Sequence, residues 1–517
     1  MTFKDMLGPL VLALVITFGI QYFWGSGNGE KAVSQVHDIT QQADPDIVGF
    51  KAQDYEIDFV DTKPKDFKAI STPVETSYGT FVFSTEGAAI EKAVFVRHEK
   101  KKVQDFDTFE SHGQEDRMFL LAFQEKTPYY FDLVSHDDKD DVVTLQYRSK
   151  FDQGTLTKEY IVYKDINKVD LVVSIDMPKQ EDKKIVRTRL LLPSPALQGL
   201  KDDTVRVFFE EQGSLKFYSN SNEIVNKLIS GPIKMLGMDD RYFTYSLIND
   251  AGDFFQRAYF KSLSENNLRA FLQSKWINQS GSWKTSFYLG PKQIRSFAPV
   301  DTRLDGVLDF GWFSPLSKVL LKMLNVIHDH VQNYGWAIIL LTLLLKLLLL
   351  PFTWGAEQKM KGAAGQREEM NRKLAYLKEK YKNDPERLAQ ERNEVMRKHG
   401  MPGIGSCLPM LLQIPIFISL NKVLTNSISL YKVPFLWLPN LAASDPYYIL
   451  PILVVIAVVL HNPSSSKDPK QGLMPYAMAL FFGAFTAPMA SGLVIYILTS
   501  TGLGVVQAWA AKFFKRA

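Results

Sequence analysis

The sequence predicts a multi-domain membrane protein: a six-span α-helical part with a charged cytoplasmic helical hairpin, joined to a large antiparallel β-sandwich. Three observations predict it. Long apolar runs fill the N-terminus and the last third of the chain, whereas charge and polarity fill residues 45–305. Within that polar stretch, strand-like runs follow one another with no amphipathic helix between them. A strongly basic stretch divides the apolar runs and sets their orientation across a bilayer. At 517 residues the chain is too long for one domain. Its net charge of +4 is small, so the distribution of charge says more than the sum. The single cysteine, Cys407, excludes an intramolecular disulfide and leaves the β part to stand on its core.

Taken in order, residues 7–24 are apolar over about the length needed to cross a hydrocarbon core and end in Tyr22, Phe23 and Trp24, an interfacial aromatic cluster. They read as an uncleaved anchor (domain 1–24) rather than a signal peptide. Residues 25–45 are small and polar, a linker. The β domain, 46–308, carries runs at 80–85, 93–96, 142–147, 160–163 and 171–175. At 309–334 the period changes: Leu316, Val319, Leu320, Met323, Leu324, Ile327 and Val331 recur at helical spacing, predicting an amphipathic helix in the membrane interface. The remainder, 335–517, holds five apolar segments at 335–353, 408–424, 447–460, 473–489 and 492–509.

Between the first two of these lie Lys359, Lys361, Arg367, Arg372, Lys373, Lys378, Lys380, Lys382, Arg387, Arg392, Arg397 and Lys398. The positive-inside rule puts this loop, and with it both chain ends, in the cytoplasm and the β domain outside. The loop (356–402) predicts two helices, 357–382 and 386–399, parted by Asn383, Asp384 and Pro385. Glu368/Arg372 and Glu394/Lys398 support them one turn apart.

No catalytic or metal-binding constellation stands out: there is no HExxH, no paired Cys/His spacing, no Walker loop and no G-x-S-x-G. The chain reads as no enzyme, with no metal, no cofactor and no sequence-specific nucleic-acid binding. What stands out is polarity within the spans. Lys346 interrupts the run Leu341–Leu350, where a lysine costs about 2.5–3.5 kcal/mol on insertion scales. Thr342 lies four residues away on the same face, and Gln413 and Tyr496 lie inside other segments. Interhelical hydrogen bonding explains hydroxyls and amides in lipid. The lysine calls for a hydrated cavity or for snorkelling to an interface.

The run Thr342-x-x-x-Lys346 ending in LPFT at 350–353, the charged hairpin, GSCLPMLLQIPIF at 405–417, DPYYILP at 445–451 and SGLVIY at 491–496 together resemble the YidC membrane insertase family. LGPK at 289–292 and DFGW at 309–312 resemble the end of that family's periplasmic domain in its Gram-negative type. The resemblance implies a five-helix insertase core in the bacterial inner membrane, enclosing a hydrophilic groove open to cytoplasm and lipid and closed on the periplasmic side. It implies a substrate groove of Lys346, Thr342, Gln413 and Tyr496, with Lys346 where the family usually has arginine. Lysine keeps that charge but loses the planar two-pronged fork. Ile497 departs from a tyrosine present in many members. Hydrophobic spans would slide past Ile414 and Phe417 on the third helix and Phe481 and Phe485 on the fifth. The implied partners are nascent membrane proteins, the lipid bilayer, the Sec translocon with its accessory subunits, and a ribosome or targeting factors meeting Arg372, Lys373, Arg397 and Lys398. The alternative class is a secondary transporter with Lys346 as substrate or proton site; it predicts inverted repeats and a second interior charge, and the sequence shows neither.

Overall fold

The computed structural model describes residues 63–513 apart from 65, 100–101, 112, 124–125, 180–185, 196–204, 219–223, 226–227, 251–253, 265–266, 383, 400–407 and 462–472. The expected anchor at 7–24, the linker at 25–45 and Cys407 lie outside the described residues, as do the side chains of Arg397 and Lys398. The chain divides into two compact units, Met1–Leu308 and Asp309–Ala517.

The described part of the first unit is mainly β, with short helical turns at Gln114–Asp116, Ile294–Phe297 and Thr302–Gly306, and its paired strands are antiparallel as expected. The described strands make three sheets. A nine-stranded sheet runs from Asp132–Asp138 at one edge, through Val142–Phe151, Gly154–Tyr163, Lys168–Asp176 and Gly281–Pro291, to Ser214–Tyr218 at the other. Five- and four-stranded sheets complete the unit. Alternation dictates which face is inside. In Gly154–Tyr163 the residues Leu156, Lys158, Tyr160 and Val162 all point inward, and Leu156 pairs with Ile175 and Tyr160 with Leu171 on the neighbouring strand.

That alternation carries a lysine into the core. Lys158 is fully buried, and its Nζ donates to the carbonyls of Ala88 at 2.5 Å, Phe119 at 2.7 Å and Gly87 at 3.2 Å. Ala88 and Phe119 hold left-handed backbone, with φ of 42° and 66°, a conformation that costs a side-chain-bearing residue energy unless its surroundings fix it. One ammonium thus ties two strained loops to the sheet, its lost hydration replaced by carbonyl dipoles. Burial pushes its pKa well down.

Charge also fastens the segment that leaves the unit. Lys292 Nζ donates to Asp239 Oδ2 and to the Asp240 carbonyl, both at 2.6 Å, and Arg206 donates to the same Oδ2 at 2.6 Å. Arg303 joins Asp301, Glu210 and Asp250. Residues 292–308 are therefore laced to the sheet rather than loosely tethered.

The second unit is helical: α1 (Ser314–Val331), α2 (Tyr334–Lys380), α3 (Pro385–His399), α4 (Leu408–Asn426), α5 (Ile449–His461), α6 (Met474–Thr486) and α7 (Ser491–Phe513). The expected amphipathic helix is α1, which buries Ser317, Leu320, Leu321 and Leu324 against α2 and α4. It ends where Gln332 turns left-handed, φ 58°. Asn333 then caps α2, its Oδ1 accepting from the backbone N–H groups of Gly335 and Trp336 at 2.9 and 3.3 Å.

One expectation is redrawn. The span at 335–353 and the first hairpin arm are a single helix of 47 residues, which runs on through Pro351, Thr353 and Gly355. The stop read at Asn383, Asp384 and Pro385 is used: α3 begins at Pro385, and Asp384 Oδ1 accepts from Arg387 N at 3.1 Å. The hairpin arm α3 packs against α2.

Among the described residues no helix is long and apolar enough to cross a membrane. The unit nonetheless turns many apolar side chains outward around its apolar core: Leu340, Leu343, Leu344, Leu347 and Leu348 on α2, Ile452, Ile456 and Leu460 on α5, and Leu480 and Phe482 on α6 are exposed. Inside lie Ser317, Thr342, Ser419, Thr486 and Ser491.

Candidate functional site: a polar seam between α2, α4 and α7

Helices α2, α4 and α7 pack against one another, and each brings polar groups to the contact. On α2, Ile338, Thr342 and Lys346 follow at four-residue intervals and share a face. Ile338 and Thr342 are sealed, whereas Lys346 is half-buried. The face therefore opens over about 6 Å, one helical turn. Lys346 stands at the border between buried Leu345 and exposed Leu347. The Thr342 hydroxyl donates back to the Ile338 carbonyl at 2.7 Å, so its proton is engaged within its own helix.

Gln413 on α4 is half-buried, and its Nε2 donates to the hydroxyl of Tyr496 on α7. Tyr496 itself is only 3% exposed. Of the four groove residues read from sequence, the structure brings Gln413 and Tyr496 into direct contact and leaves Lys346 and Gln413 partly open. Thr342 and Tyr496 are closed off within the packed helices.

The residues expected along the hydrophobic slide are half-buried: Ile414 and Phe417 on α4, Phe481 and Phe485 on α6. Phe481 and Phe485 stack with ring centres 6.3 Å apart, presenting a smooth apolar step. Arg372 and Lys373 on the long α2 are exposed.

Sequence reasoning missed what seals one end of the seam. Between α4 and α5 the chain folds inward, burying Ile428, Leu430, Phe435, Leu438 and Leu441. The N-terminus of α7 docks on it: Ser491 N and Oγ both donate to the Ala443 carbonyl at 2.7 Å, and Gly492 N donates to the Leu441 carbonyl at 2.9 Å. Asp445, 2% exposed, organises the exit of this loop, accepting from Tyr447 N at 3.0 Å, Leu450 N at 2.7 Å and Trp437 Nε1 at 3.4 Å. The loop also rides on Gly335 of α2, where any side chain would collide with the Phe435 ring. The available signal was Asp445-Pro446, a turn-forming pair shortly ahead of an apolar run. Nothing in the sequence marked the loop as buried.

Residues 326–516 match the family described as 60Kd inner membrane protein, and residues 71–323 match the YidC periplasmic domain. A protein of Geobacter metallireducens named membrane protein insertase YidC is 34% identical over 277 residues, an alignment spanning about half of each chain, 52% of this one and 51% of the relative. A protein of the same name from Citrifermentans bemidjiense is 28% identical over 457 residues, 84% of each chain. Among solved structures, an active YidC insertase with its first transmembrane domain resolved covers 88% of this chain and 95% of its own, at 16% identity and a TM-score of 0.39, too loose a likeness to argue from. A secondary transporter finds no support among these relatives.

Proposed function

Because this chain belongs to the YidC family of membrane protein insertases, we propose that it passes nascent inner-membrane proteins into lipid along the seam between α2, α4 and α7, with Lys346 as the charge that receives their polar tails. The observation carrying this is the face of α2 that goes from sealed at Thr342 to half-open at Lys346, on a helix whose other side is bare leucine. Half-buried beside exposed leucines, such a lysine would have lipid-like surroundings on one flank and, in this reading, a polar opening on the other. Moving a short polar tail through hydrocarbon is costly because its backbone and charges lose water. A fixed cation at the opening offers a partner partway, and the substrate's own apolar segment supplies the driving free energy, about 0.3–0.6 kcal/mol per leucine-like residue. No nucleotide chemistry is required.

The finer topology belongs to the same proposal. The outward leucines and isoleucines suit lipid contact. With the anchor at 7–24, they support six passes with both termini and the α2–α3 hairpin in the cytoplasm, where Arg372 and Lys373 would meet ribosomes or targeting factors. The protein would work alone or with the Sec translocon and its accessory subunits. The test is photo-crosslinking from positions 346, 342 and 413 to a stalled nascent membrane protein, with exposed Leu348 as the lipid-facing control. Adducts from 346 and 413, and few from 348, are expected. Adducts from 348 alone would sink the proposal.

A further inference from the structure

We infer that the hydrogen bond from Gln413 to Tyr496 is a lock between α4 and α7, and that it sets how hydrophobic a substrate segment must be to part them and reach lipid. The inference rests on the seam being the substrate's path.

Tyr496 cannot meet a substrate in the described state, being 3% exposed with its hydroxyl occupied by Gln413. Gln413 is half-buried and covers it. A chain approaching from the Lys346 opening therefore reaches the amide first and the phenol only after the two helices separate. Both partners sit beside weak points in their own helices. Pro415, two residues beyond Gln413, lies inside α4. Having no N–H, it breaks one intrahelical bond and allows the preceding turn to swing. On α7, Thr501 Oγ1 bonds back to the Ile497 carbonyl at 2.8 Å, a contact that bends helices. Near it, Gly502 meets nothing within 4 Å of where a side chain would start. The bond is neutral on both sides, so opening it strands no charge in lipid. Interhelical bonds of this kind in membranes are weak enough for a modest apolar segment to replace. A segment too polar to gain from lipid would leave the lock shut.

Two measurements separate the lock from the path. In the first, the full-length protein in lipid nanodiscs carries spin labels on its native Cys407, next to the start of α4, and on a cysteine replacing Gly502, with no substrate present. Tyr496→Phe and Gln413→Leu are each expected to broaden the distance distribution relative to the parent. Identical distributions in all three proteins would overturn the lock whatever the substrate does. In the second, insertion is scored for model segments of graded leucine content. Each single variant is expected to move the half-insertion point by roughly one to three leucines toward less hydrophobic segments, and the double variant no further than either single, since one bond is lost in all cases. Lower insertion at every hydrophobicity would make the hydroxyl a substrate contact instead and overturn the threshold role. Broadened distances with an unmoved threshold would show that the bond joins the helices but does not set the threshold, overturning its gating role, whereas the path itself is judged by the crosslinks from 346 and 413.

Discussion

Two lysines in apolar surroundings illustrate opposite solutions to the same cost. Lys158 is enclosed, and three carbonyls stand in for water. Lys346 is left half-open on a helix face. The enclosed one has a pH signature. Burial lowers its folded pKa. Below that value the ammonium is charged in both states, and the fold carries the whole cost of burying it. Between that value and the ordinary lysine value of about 10.4, the unfolded chain binds a proton that the folded chain does not, so stability rises with pH. Above about 10 the trend reverses, because burial raises the pKa of Tyr160 and Tyr288 and only the unfolded chain ionises them. The thermal midpoint of the β unit, followed in the full-length protein, should climb as pH rises through the lysine window. Lys158→Met should lower the midpoint at neutral pH, leaving carbonyls of strained loops without a donor at about 1–3 kcal/mol each, and should climb less. An equal climb in both proteins would contradict this account of the buried ammonium. Lys158 was within reach of the sequence: it shares the inward register of Leu156, Tyr160 and Val162, and strict alternation points a charge at the core.

At the scale of elements, α1 was legible because a helix with one buried stripe writes its period into the chain. The start of α3 was legible because Asp384 and Pro385 are a cap and a first-turn proline. The continuity of α2 was not, since a change from leucine to charge alters the solvent of a helix and not its backbone. The inward loop of residues 427–448 was not legible either, because its burial comes from partners distant in sequence, such as Ser491 and Gly335. Its key side chain is testable. Asp445→Ala removes three acceptor contacts, one of them to Leu450 N in the first turn of α5, where losing a capping bond costs about 0.5–2 kcal/mol. Amide exchange at Tyr447 and Leu450 should accelerate while that of α2 holds. Unchanged exchange at both amides would show that the carboxylate organises nothing. The contact between Gln413 and Tyr496 was equally invisible: each reads as a polar residue in a span, but only packing brings α4 to α7 in that register.

For the whole molecule, the two units differ in what insertion asks of them. The seam, the slide and the loop seal all lie within Asp309–Ala517. The β unit contributes strained loops, a buried lysine and a charged exit segment, and none of the proposed groove residues belongs to it. Removing residues 46–289 should therefore leave insertion of simple substrates largely intact, measured by protease protection of a translocated tail. Complete loss with the shortened protein stably present would mean the β unit takes part in insertion. Membership of the insertase family was legible because motifs spread over the chain keep their order, even though no described helix meets the length and apolarity expected of a span on its own.

The central claim is that the charge of Lys346 receives the polar tail of a substrate. Its most direct test measures insertion of two substrates differing only in the tail, one acidic and one basic, by the parent protein, Lys346→Arg, Lys346→Ala and Lys346→Glu at equal abundance. The acidic tail should cross well with lysine or arginine, poorly with alanine and worst with glutamate, and the basic tail should reverse that order between lysine and glutamate. Equal insertion of both tails by all four proteins would contradict the account.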